Sequence, residues 1–172
     1  MSKKFLSIFI GLASMFSMTA CIGEDYDIGV PSAYIEVTIA SSYLQYPLTK
    51  ANIIWSSSIG DENQTVEDMK EFGLKQDKIW VYGNQEARFD VVENEENGGD
   101  SWPESISAKL WRNGESTDIE VNENGEFKIP DIEGNYVLEV LTRNSANRAQ
   151  YVGNVVIEAA DKNHSDNNKV ND

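Results

Sequence analysis

From Lys78 onward the chain's apolar residues come only in short runs, and turn-forming residues close each run within about a dozen positions. Ile79–Tyr82 and Ala87–Val92 are β-branched and aromatic-rich. Ile106–Arg112 ends at Asn113-Gly114, the dipeptide that best signals a tight hairpin turn. Thr117–Val121 runs into Asn122-Glu123-Asn124-Gly125, a second turn. Phe127 and Ile129 form a short strand stopped by Pro130. Tyr136–Arg143 and Gln150–Glu158 read as a long hairpin around Asn144–Arg148. Such spacing predicts an all-β fold, an antiparallel sandwich rather than an α/β arrangement.

The stretch before Lys78 is more varied. Ala33–Ala40 alternates, with Ile35, Val37 and Ile39 on one side and Tyr34, Glu36 and Thr38 on the other, the pattern of a half-buried strand. Pro47 is read as a break, Asn52–Trp55 as a short strand and Ser56–Asn63 as a polar loop. One short helix is expected over Gln64–Phe72, capped by Thr65 and stopped by Gly73, with Val66, Met69 and Phe72 on its buried face.

The N-terminus has the three-part layout of a secretory signal: Lys3 and Lys4, an apolar run from Phe5, then small residues before Cys21. Met18-Thr19-Ala20-Cys21 resembles a bacterial lipobox, with Met18 standing where that motif prefers leucine. Cys21 is the chain's only cysteine, so it can carry lipid but cannot form an internal disulfide. Acylation of its side chain and its new amino terminus would meet the need for more than one acyl chain in stable anchoring. The organisation expected is a cleaved signal peptide at 1–20, a tether at 21–32, one sandwich domain at 33–158 and a disordered polar tail at 159–172. Eleven extended residues reach only about 35 Å, which keeps the domain close to the membrane.

Charge narrows the partners. Cleavage before Cys21 removes two of the 14 basic residues and none of the 29 acidic ones, leaving a net charge of −17. No nucleic acid is expected as a partner, because a phosphate backbone needs a basic face. Contact with an anionic membrane is expected through the lipid anchor, against some repulsion.

Two segments resemble immunoglobulin-like domains. Asp131-Ile132-Glu133-Gly134-Asn135-Tyr136-Val137-Leu138 is similar to the start of strand F, where a tyrosine hydroxyl ties the corner. Leu110-Trp111-Arg112-Asn113-Gly114 resembles the strand C segment, with Leu110 in place of the core tryptophan and Trp111 in the more exposed aromatic place. Residues 79–158 thus resemble Ig-like modules of uncharacterised surface lipoproteins of Gram-positive bacteria. The resemblance implies a disulfide-free Ig-like sandwich, which residues 33–78 extend, and little about activity, since this fold hosts many functions.

Chemistry-bearing clusters are few. The single histidine, His164, lies in the polar tail, so histidine-based nucleophilic triads and zinc sites have no basis in the folded part. Glu93, Glu95, Glu96 and Asp100 surround glycines in an acidic loop; a solvated connection is the first reading and a weak calcium site the alternative. Of the four tryptophans, Trp55 and Trp80 are expected in the core, while Trp102 and Trp111 are the candidates for stacking a sugar. No catalytic residue and no other cofactor are assigned. The expectation is a non-enzymatic, lipid-anchored module on the extracytoplasmic face of the cell membrane that contacts a protein partner. A glycan- or calcium-binding accessory lipoprotein is the alternative.

Overall fold

The computed structural model describes residues 29–39, 42–57, 60–92 and 103–159. They form ten strands and one short helix: β1 (Ser32–Ile39), β2 (Ser42–Ser57), β3 (Gly60–Gln64), α1 (Met69–Leu74), β4 (Lys78–Tyr82), β5 (Glu86–Val92), β6 (Ser105–Arg112), β7 (Glu115–Ile119), β8 (Glu126–Lys128), β9 (Gly134–Asn144) and β10 (Asn147–Glu158). Cys21, the acidic residues Glu93, Glu95, Glu96 and Asp100, and Trp102 lie outside the described residues, as do the signal segment and 160–172.

The strands build two layers joined by the 16-residue β2. Its first half pairs with β1, opposite β5 and then β8; its second half pairs with β10, which continues through β9 and β6 to β7. Every pairing is antiparallel except β4 with β10. Once β2 departs toward the other layer, β4 takes its place beside Asn154–Glu158. In one layer β5 pairs with β8, and in the other β6, β9 and β10 lie side by side. The β1–β2 hairpin adds to both layers.

The period-two pattern decides which side chains fill the space between layers. Ile35, Val37, Phe89 and Phe127 meet Leu110, Leu138, Val140, Tyr151 and Val155 in one continuous core. Phe89 and Phe127 stack with ring centroids 4.3 Å apart. Leu110 faces Leu138 across β6–β9, and both are buried. Asn113 and Gly114 both have positive φ, 51° and 89°, as a two-residue hairpin turn requires. The Tyr136 hydroxyl reaches back to the Glu133 carbonyl at 3.4 Å and accepts from the Arg112 guanidinium at 3.1 Å, so the corner tyrosine is held from two sides.

Several local expectations are corrected. Pro47 does not break the chain but sits inside β2 opposite Tyr34, where β2 has a partner on one side only and a missing N–H is tolerated. Ser56–Asn63 is not a loop: β2 continues to Ser57 and β3 pairs back onto it. All five β3 residues are exposed, so it carries no apolar alternation to read. The helix starts later than its Thr65 signal. The Val66 N–H is taken by the Asn52 side chain at 2.6 Å, and Asp68 caps instead, accepting from the N–H groups of Lys70 and Glu71. Gly73 lies inside α1 rather than beyond it. Residues at the end of the expected tether belong to the domain: Val30 and Pro31 are buried, and the Pro31 carbonyl accepts from the Tyr151 hydroxyl at 2.8 Å.

Candidate binding surfaces

The outer face of the β6–β9–β10–β2 layer is organised by one chain of polar groups. The Trp111 indole N–H donates to Glu139 Oε2 at 2.7 Å, and Glu139 Oε1 accepts from Gln150 at 2.7 Å. The Gln150 carbonyl oxygen accepts from Asn52 at 2.6 Å, and Asn52 in turn accepts from Val66 N–H. The donors run toward Glu139 from both ends, and its carboxylate accepts from both sides of a chain that crosses four strands. Beside it α1 covers the sheet: Met69 and Phe72, with Val66 ahead of the helix and Trp111 on β6, pack on Ala51, Val137 and Val152.

This arrangement settles where Trp111 stands. The side chain is half-buried, its N–H is engaged, and the Lys70 ammonium lies 4.4 Å from its ring centroid. It borders a groove of about 610 Å³ with Lys70, Arg112 and Asn135.

Trp80 is where the sequence reading fails. It was expected in the core and is 51% exposed. Along β4, Ile79 and Val81 point into the core while Lys78, Trp80 and Tyr82 point outward. The strict alternation of Lys78–Tyr82 was the available signal; it was hidden because the outward residues are aromatic too. Trp55, by contrast, is buried as expected.

Trp80 and Tyr82 stand out because β4 is an edge. Among the described residues it pairs with β10 alone. Val156 lies opposite Trp80 and Asn154 opposite Lys78. Asn154 also donates to the carbonyls of Leu74 and Gln76, which brings the end of α1, with its exposed Leu74, to the same side. An open strand edge, two aromatic rings and an exposed leucine therefore share one end of this face.

The opposite layer carries a polar surface. Arg88 holds Glu36 Oε2 through Nη2 at 2.6 Å and Nε at 3.1 Å, and this bond raises the guanidinium's pKa against the opposing effect of burial. Gln45 donates to Asp90 at 2.9 Å. Glu36, Tyr43, Glu86, Arg88 and Glu126 line a groove of about 610 Å³, and Tyr43 is 75% exposed. Among the described residues no group of histidine, cysteine and acidic side chains is placed to hold a metal ion, and no helix is long and apolar enough to cross a membrane.

Comparison with known proteins gives this chain no relatives: no family model, no curated protein and no solved structure matches it.

Proposed function

We propose that this chain is a non-enzymatic binding module, held on the extracytoplasmic face of a membrane by lipid on Cys21, that contacts a protein partner through the edge of β4. The observation that carries the reading is the exposure of Trp80 and Tyr82 on a strand that, among the described residues, pairs on one side only. An open edge invites an extended segment of another chain, whose backbone completes the ladder. Tryptophan and tyrosine are the side chains that most often dominate interface energies. The lipobox-like Met18–Cys21 supports the anchor.

The test is capture from solubilised membranes with wild type and with Trp80→Ser/Tyr82→Ser. A partner retained by wild type and lost with the double variant, at unchanged melting temperature, supports the reading. Equal retention by both refutes the β4 edge. Cys21→Ala should release the protein or leave its signal uncut; a variant that stays membrane-bound at mature size refutes the anchor.

A second reading, glycan binding, rests on a different observation. Tyr43 projects beside carboxylates and a guanidinium that could accept and donate hydrogen bonds to hydroxyls. Glycan-array binding abolished by Tyr43→Ala, without any protein partner, would replace the first reading with this one.

A further inference from the structure

We propose that Arg143 and Arg148 form a site for an oxyanion, a phosphate, sulfate or carboxylate group, carried by a ligand with an apolar portion. The two residues face each other directly across the β9–β10 hairpin. Side chains so paired stand about 5 Å apart at Cβ, and like charges there oppose each other. A chain with 29 acidic and 14 basic residues could neutralise such a pair easily, yet the described residues do not. Of the four arginines, Arg88 binds Glu36 and Arg112 binds the Glu133 carbonyl and Tyr136. Neither Arg143 nor Arg148 has a hydrogen bond or ion pair among the described residues.

Their surroundings fit an anion. Both line a groove of about 350 Å³ with Asn52, Gln64, Thr65 and Gln150, and among the described residues no carboxylate lines it. The closest acid in the polar chain, Glu139, has one oxygen on Trp111 and the other on Gln150. Two guanidiniums bring five N–H donors each, in the planar arrangement that suits oxyanions. Ile54, Val66 and Leu141 supply the apolar wall, and Ile54 is 43% exposed. The site lies near the start of β10, whereas the β4 edge flanks its end, roughly 25 Å away at strand spacing. Variants therefore separate this site from the proposed protein contact.

The experiment follows the arginine Nε–Hε resonances of the ¹⁵N-labelled domain during titration with sodium phosphate, against sodium chloride at equal ionic strength. Saturable shifts are expected at Arg143 and Arg148 and not at Arg88 or Arg112. Arg143→Gln and Arg148→Gln should each weaken phosphate binding about tenfold, the worth of a charge-assisted hydrogen bond. Each should leave the unliganded domain as stable as wild type or more so, because a like-charge pair is relieved. Shifts that grow linearly and match chloride would overturn the proposal, as would phosphate binding that survives the double variant. Vesicles of phosphatidylglycerol identify the source. Retention that the double variant loses points to a lipid headgroup; indifference to vesicles alongside saturable phosphate binding points to a soluble ligand.

Discussion

Trp111 and Gln150 are joined through a single carboxylate: Glu139 gives one oxygen to the indole N–H and the other to the amide, both at 2.7 Å. Both contacts are partly buried, so water cannot freely replace either. Glu139→Gln would aim an amide N–H₂ at one of these donors. It should destabilise the domain by about 1–3 kcal/mol, the cost of an unsatisfied buried donor. Urea denaturation measures it; a midpoint equal to wild type would show that the polar chain does not hold this face.

The β6–β9 pairing places two residues of very different expected weight. Leu110 is 3% exposed against Leu138, and Leu110→Ala should cost roughly 2–5 kcal/mol through lost burial and the cavity left behind. Tyr136→Phe removes an acceptor from Arg112 and a long bond to Glu133, and should cost only about 1 kcal/mol. Denaturant melts of both variants should preserve that order.

Gly73 is fixed by what lies beneath it. A Cβ at this position would run into the Cγ atoms of buried Val137. In an exposed helix Gly→Ala gains about 1 kcal/mol. Here overpacking costs about 1–3 kcal/mol and should outweigh that gain. A melting temperature raised by Gly73→Ala would mean that α1 can lift from the sheet at little cost.

Tyr151 links stability to alkaline pH. Burial raises its phenol's pKa well above the usual tyrosine value, hydrogen bonding with Thr142 opposes this, and the Glu62 carboxylate adds to it. The folded state thus holds a proton that the unfolded chain releases near pH 10. This contribution is complete below about pH 10 and is lost as pH rises through the folded pKa. Tyr151→Phe should be less stable at neutral pH, having lost the bond to Pro31, yet show a flatter decline above pH 10. Parallel pH profiles of wild type and variant would contradict the assignment.

The parts of the fold legible in sequence are those where one local rule acts alone. Ile35 and Val37 alternate because one face of β1 meets the core, and Asn113-Gly114 marks its hairpin through positive φ alone. Where two signals compete, tertiary contacts decide. Thr65 and Asp68 can both cap, and the bond from Val66 to Asn52 selects Asp68. β3 buries nothing and so leaves no periodic trace. Trp80 looked like core because aromatic residues occur on both kinds of surface; the alternation along Lys78–Tyr82 is what turns it outward. Arg143 and Arg148 lie symmetrically about Ser145-Ala146, a relation that emerges only once the two-residue turn is placed.

A partner at the membrane is expected on the β4 edge. Photo-crosslinking from the full-length, membrane-localised protein tests it most directly, with p-benzoylphenylalanine replacing Trp80, Tyr82 or, on the exposed far edge, Ser116 of β7. The prediction is one discrete adduct from positions 80 and 82 and none from 116, with the adduct lost when Cys21→Ala releases the protein. Adducts of equal yield from 116, or none from 80 and 82 while the protein remains at the membrane, would contradict the claim.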